Sequence, residues 1–316
     1  MKIVFTFLLL FSFPILFSQE KLSKEFRFKT DNDLYISSSK DRYYTSGILL
    51  TYRHLSKAAN DKLEKTIFEW EVGHKMYSPY KATVSDISMH DRPFAAYLYG
   101  SFGKQYVYKK NKILTLKLQL GVIGPAACGE ELQDFIHTFF NYKKAVGWKY
   151  QIKNALGINL NASYSQLLIK DATNYLDLTW TNHAKAGTVF TNISTGFFAR
   201  IGILPLQGMM NSIAFNTSIN NSTTESKRKK EAFFYAKTTA HYTLYDATLQ
   251  GSFLNKGSEV TNELIRHHVG LELGLSAAFY RFNLGYAYLY TGQKSKELRY
   301  TNGNYYGSIQ LSYLFN

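Results

Sequence analysis

Gln133 and His137 stand four residues apart in Gly129 to His137, the one strongly helical stretch of a 316-residue chain that otherwise alternates like strands. Spacing of four on a helix puts both on one face, one above the other. A histidine can take a proton near neutral pH, and a neighbouring amide can orient its ring or a water. Leu132, Phe135 and Ile136 form an apolar face by the same spacing. Gly124-Pro125 breaks the preceding strand, and Glu130 and Glu131 suit the positive end of a new helix. The plainer reading is a histidine that hydrogen-bonds within a polar interior. A second group of donors is Asp31-Asn32-Asp33, whose carboxylate and amide oxygens suit a hard cation, although the same residues also favour a turn. Thr45, in Tyr44-Thr45-Ser46-Gly47, shares its alternation with Thr51 and Arg53 and is expected to point into a barrel.

Strands must carry these residues. In Leu114 to Leu120, four leucines face one way and Thr115, Lys117 and Gln119 the other. Thr66 to Val72 and Phe282 to Tyr288 alternate in the same manner. Such segments of about ten residues recur between polar turns, which is the pattern of a transmembrane β-barrel. About twelve strands are expected, starting near Glu25, Tyr44, Lys65, Ala95, Ile113, Trp148, Asn174, Gly187, Glu231, Glu263, Phe279 and Gly303. With both termini periplasmic, strand one runs outward to Asn32-Asp33, strand two leaves the same rim at Thr45, and the Gln133/His137 helix follows outward-running strand five. Strand parity therefore gathers all three at the extracellular end. Leu204 to Lys230, polar and ending in Lys227-Arg228-Lys229-Lys230, reads as a long loop on the periplasmic side.

Composition narrows the class. Aromatic residues make up 16% of the chain, which suits aromatic girdles at two membrane interfaces. Met1 to Gln19 reads as an export signal, with Lys2 before an apolar run, and residues 20–316 as one barrel domain. No later stretch is long and apolar enough for a transmembrane helix, so any span is β. The net charge of +14 is dispersed over strands and loops, which fits anionic lipid headgroups or lipopolysaccharide phosphates better than nucleic acid. The lone Cys128 forms no disulfide within the chain and is expected to be a small buried filler.

The motifs resemble those of the lipid A 3'-O-deacylase family of outer-membrane barrels. Asp31-Asn32-Asp33 with Asp41-Arg42-Tyr43-Tyr44-Thr45-Ser46-Gly47 is similar to its N-terminal signature. Asp91-Arg92-Pro93-Phe94-Ala95, Gly124-Pro125-Ala126-Ala127-Cys128-Gly129-Glu130 with Gln133 and His137, Gly147-Trp148 with Gln151, and Asp246 to Gly251 follow in the family's order. The resemblance implies a twelve-stranded barrel and a Ca2+-dependent hydrolase that releases an ester-linked acyloxyacyl group from lipid A. It implies His137 as the base, Gln133 one turn earlier, Asn32 and Asp33 beside the metal, and Thr45 as the site hydroxyl. Lys75, on the face of Glu69 and Glu71, is assigned to the family's lysine, and Ala155 stands where the family pattern carries an acid. The expected setting is a monomer among outer-membrane lipids. Two other readings share these residues: a porin or structural barrel without turnover, and a Ca2+-dependent phospholipase.

Overall fold

The computed structural model describes residues 22–36, 42–56, 61–221, 224 and 230–316. The export signal, Asp41 and the basic run Lys227-Arg228-Lys229 lie outside the described residues. Twelve antiparallel strands close into one barrel: β1 (Lys24–Asn32), β2 (Tyr43–Ser56), β3 (Leu63–Ser78), β4 (Ala95–Tyr108), β5 (Lys112–Ile123), β6 (Ala155–Lys170), β7 (Leu176–Gly187), β8 (Phe190–Gly202), β9 (Glu231–Asp246), β10 (His267–Phe279), β11 (Phe282–Thr291) and β12 (Asn304–Phe315). Each strand pairs with its sequence neighbour, and β1 seals against β12 from Lys24↔Phe315 to Asn32↔Gly307. Closure leaves no sheet edge, so every backbone polar group of the wall has a partner in the bilayer.

The expected starts hold within a few residues, with one exception at strand six. Trp148 lies in a short 3-10 turn, and β6 begins at Ala155. The Trp148 ring is buried under the loop that follows β5, so it packs instead of pairing. Alternation sorts the wall as expected. Leu116, Leu118 and Leu120 are exposed on the outside, while Thr115 and Lys117 line the lumen. Inside, Glu25 takes Arg27 at 2.8 Å and Arg53 at 2.9 Å, and Glu69 takes Arg53 and Lys117. Each charge of this ladder meets an opposite one, as burial requires.

The loop between β8 and β9 lies at the end that carries both termini, as strand parity predicts. Its polar composition suggests a solvated segment, yet residues 206–221 enter the lumen. Met209, Phe215 and Ile219 are buried against Ile67, Val107, Ile113 and Phe198 of the wall. Lys65 Nζ donates to the carbonyls of Thr217 (2.9 Å) and Ile219 (3.0 Å) and to Asn220 Oδ1 (2.8 Å). Arg200 donates to Ser212 Oγ at 2.6 Å and to the Gln207 carbonyl at 3.0 Å. The asparagines, serines and threonines that read as loop residues thus satisfy the charged inner wall, and the segment stoppers that end of the barrel.

Leu118 pairs with Phe102 on one side and Leu160 on the other, facing out. Leu118→Arg should destabilise the barrel by about 2–4 kcal/mol if the site lies near the bilayer midplane. Urea titration of refolding into liposomes, read by heat-modifiable gel mobility, measures it; an unchanged midpoint would mean that this face does not meet lipid.

Candidate active site on the outer wall of the barrel

A row of outward-facing positions crosses the rim opposite the termini. Asn32 pairs with Ser46, Ser46 with Met76, and Met76 with Ala96. The Gly124 N–H then donates to the Ala96 carbonyl at 3.0 Å. Neighbouring strands lie about 4.8 Å apart, so Asn32 and Met76 are separated by about 10 Å across the wall. Gly124 has φ 99°, and a Cβ there would stand 2.7 Å from the Ile152 carbonyl oxygen, so only glycine makes this exit from β5. A 3-10 turn (Pro125–Ala127) follows, then Cys128 at φ 54° in the left-handed region, then helix α1 (Gly129–Phe139). Cys128 is exposed rather than the buried filler its size suggests, because it serves as the left-handed residue that starts α1. His74, also outward on β3, holds the turn through Nε2 and the Ala127 carbonyl at 2.7 Å.

Helix α1 lies against the outside of the barrel. Leu132 and Ile136 pack on a cluster of Met76, Phe94, Ala96, Ala127 and Trp148. Phe135 does not share that contact: it is 68% exposed, and Phe139, one turn on, is 74% exposed. The helix therefore has two apolar faces, one on the wall and one pointing away. Gln133 is buried between helix and wall, where its Oε1 accepts from Trp148 Nε1 at 2.7 Å. His137 follows one turn later, with Nδ1 2.6 Å from the Lys143 carbonyl and the Tyr142 ring edge-on to the imidazole. A carbonyl only accepts, so in the neutral ring Nδ1 carries the proton and Nε2 is the basic nitrogen.

The N-terminal candidates meet the same outer face. Asn32 Oδ1 accepts from Leu34 N–H at 2.8 Å, and Asp33 Oδ2 accepts from Arg42 N–H at 2.8 Å. Both contacts fit the turn reading, and amide and carboxylate oxygens are also the donors a hard cation takes. Among the described residues, no three His, Cys, Asp or Glu side chains gather as a metal-binding group, so a cation here would rest on one carboxylate with amide, hydroxyl, backbone and water oxygens. Thr45 departs from the expected inward direction. A bulge between Tyr44 and Ser46 resets the alternation. Tyr44 reaches inward to Asp31 at 2.8 Å and Gly47 faces the same Asp31, leaving Thr45 and Ser46 both on the outer side. Thr45 is buried there, and its hydroxyl donates to the Met76 carbonyl at 3.4 Å.

Lys75 is not brought to this face. It lines the lumen with Asp31, its ammonium 5.9 Å from the Tyr99 ring centre, on the other side of the wall from Gln133 and His137. It shares its face with Glu69 and Glu71, and that face is the luminal one, whereas the helix lies outside. Other motif residues tie the outer loops together. Asp91 accepts from Tyr80 N–H, the Tyr43 hydroxyl and Arg299 N–H, each at 2.8–2.9 Å. Arg92 donates to the Thr248 carbonyl at 2.9 Å and stacks on Tyr77; burial draws its pKa below the ordinary arginine value against the pull of Asp246. The link from Trp148 to Gln133 escaped the sequence reading, since no spacing rule connects a tryptophan beyond a loop to a helix before it.

A closed antiparallel barrel with a helical loop docked outside its rim defines a class of outer-membrane β-barrel proteins. Within that class, the chain belongs to the family described as outer membrane protein LpxR, whose model matches residues 3–315. Its fold is similar to that of LpxR from Salmonella typhimurium, with a TM-score of 0.74 at 17% identity, covering 92% of this chain and 100% of that chain. The β domain of the Bordetella autotransporter BrkA aligns less well, with a TM-score of 0.48 at 10% identity, over 93% of this chain and 99% of that one. No curated protein sequence matches the chain. The protein is an outer-membrane protein.

The seat of α1 on the wall is testable at Gly129. A Cβ at this position would lie 2.4 Å from Ala96 Cβ and 2.6 Å from the Trp148 ring. Gly129→Val should lift the start of the helix without opening the barrel. The expected signature is a red-shifted Trp148 emission, read in a variant whose other two tryptophans are replaced by phenylalanine, with unchanged heat-modifiable mobility. Unchanged emission would show that the helix does not rest on Ala96.

Proposed function

We propose that this protein is a hydrolase that removes an ester-linked 3'-acyloxyacyl group from lipid A, with His137 as general base and Ca2+ as its cofactor. The observation that supports this most is the position of His137 on a helix docked against the outer wall at the rim, one turn from the buried Gln133, where a lipid in the outer leaflet can reach it without entering the barrel. The exposed Phe135, Phe139 and Phe140 suit contact with acyl chains beside that groove. The stoppered lumen weakens the porin reading, and closure of the barrel by one chain supports a monomer. Residues 1–19 are proposed as the export signal and 20–316 as the barrel domain.

The chemistry follows from the geometry. Gln133, held by Trp148, fixes the helix face, and the Lys143 carbonyl keeps His137 in the tautomer whose Nε2 accepts a proton. His137 takes a proton from water as the water oxygen bonds to the ester carbonyl carbon. The bond to the sugar oxygen then breaks, and His137 returns the proton to that oxygen, leaving a free hydroxyl and a fatty acid. Asn32 and Asp33, with the Thr45 hydroxyl on the same face, would hold Ca2+, which supplies positive charge for the developing oxyanion.

His137→Ala should lower acyl release from purified lipid A by about 10²–10⁴-fold while the barrel still assembles, because α1 is no part of the barrel's hydrogen-bond closure. Wild-type turnover in the variant would end the assignment. EGTA should abolish release and added Ca2+ restore it, whereas full activity in EGTA would remove the metal from the reaction.

A further inference from the structure

The outer half of the lumen carries a charge imbalance that the proposed hydrolysis does not use. A cavity of about 450 Å3 lies there, with Leu249, Leu298 and Gly303 of the outer loops at its edge. Six cationic side chains line it: Lys29, Lys75, Arg92, Lys185, Lys237 and Lys294. Among the described residues, two carboxylates do, Asp31 and Asp246. Lys29 is 3.7 Å from Asp31 and Lys294 is 3.6 Å from Asp246. Among the described residues, no carboxylate lies within ion-pair distance of Lys75, Lys185 or Lys237; Lys75 and Lys185 rest instead over the rings of Tyr99 and Phe190. Deeper in the same barrel, the three cations Arg27, Arg53 and Lys117 share the carboxylates of Glu25 and Glu69, and each lies within ion-pair distance of one. The larger excess is that of the outer cavity.

The facing wall adds a row of polar groups across four strands. His183 pairs with Ser194, Ser194 with His241, and His241 with His268. The His241 and His268 rings stack with centroids 4.8 Å apart. His183 Nε2 and His268 Nδ1 are buried and have no hydrogen-bond partner among the described residues. The three histidines do not form a metal-binding group. Cations gathered around one cavity repel one another, a cost that a multiply charged anion with several acceptor oxygens offsets.

We propose that this luminal cavity is a binding site for a phosphate-bearing anion, a phosphorylated saccharide or a free polyphosphate, held by Lys75, Lys185, Lys237 and Arg92 with hydrogen bonds from the histidine row. Its volume suits a sugar phosphate, and the barrel wall separates it from Gln133 and His137.

Calorimetry on the detergent-purified protein at low salt tests this, with inorganic pyrophosphate and glucose 1-phosphate as probes. Saturable one-site binding is expected, weakened by added salt. Lys185→Gln with Lys237→Gln should weaken it by at least about tenfold, as the loss of two charge-assisted hydrogen bonds implies. Preference for glucose 1-phosphate would identify a saccharide phosphate as the ligand class, and preference for pyrophosphate a free polyphosphate. His137→Ala should bind as the wild type does, so failure of the hydrolase reading leaves this result standing. Absence of saturable binding of both probes at millimolar concentration overturns the proposal. So does equal binding by the double variant or, if that variant does not assemble, by Lys185→Gln alone.

Discussion

Closure of β1 against β12 is the constraint on which the rest of this structure depends. Inside a bilayer an unpaired backbone N–H or carbonyl has no water to turn to, so a sheet that crosses must have no edge. The seam runs from Lys24↔Phe315 to Asn32↔Gly307 and uses every residue of β1. Once it is sealed, each wall residue has one of two destinations, lipid or lumen. The same rule fixes which loops share an end, since twelve antiparallel strands return the chain to its starting side. The long loops after β1, β3, β5, β9 and β11 consequently share one rim, where Asp91 and Arg92 tie the β3 loop to those after β9 and β11.

The candidate active site depends on two local breaks in that rule. The bulge at Thr45 inserts one residue and places Thr45 and Ser46 together on the outer side, beside Asn32 and over Met76. The glycine exit at Gly124 turns the chain back over the outside of the barrel instead of away from it. Small side chains then let α1 approach: Ala96 on the wall and Gly129 on the helix meet with no room for another carbon. A helix seated this closely presents Gln133 inward and His137 at the edge, while Phe135 and Phe139 remain for lipid. The arrangement brings the candidate residues to the outer wall and leaves them outside the lumen.

The lumen is consequently free for other uses, and its two halves differ. Toward the termini it is filled by residues 206–221 and by matched ion pairs, as a buried interior must be. Toward the outer rim, cations outnumber carboxylates among the described residues, and the His241 and His268 rings stack face to face. One barrel thus joins a closed structural plug with a basic chamber, and both are invisible from the lipid side.

Sequence alone determined the barrel class, the number of strands and the end at which the N-terminal candidates and the helix meet. Those properties follow from period-two alternation and from counting reversals, which are local and survive small errors in strand ends. The helix bearing Gln133 and His137 was equally legible, because three-to-four spacing is also local. Tertiary structure decided the rest. Thr45 faces outward because of a bulge that alternation cannot reveal, Trp148 packs on Gln133 instead of starting a strand, and the polar 206–221 segment enters the barrel to satisfy Lys65 and Arg200. Each of these outcomes turns on contacts between residues 15 or more positions apart in some cases, and 150 in others. Contact at that range is set by packing and by the need to pair buried polar groups, and neither is encoded in the spacing of neighbouring residues.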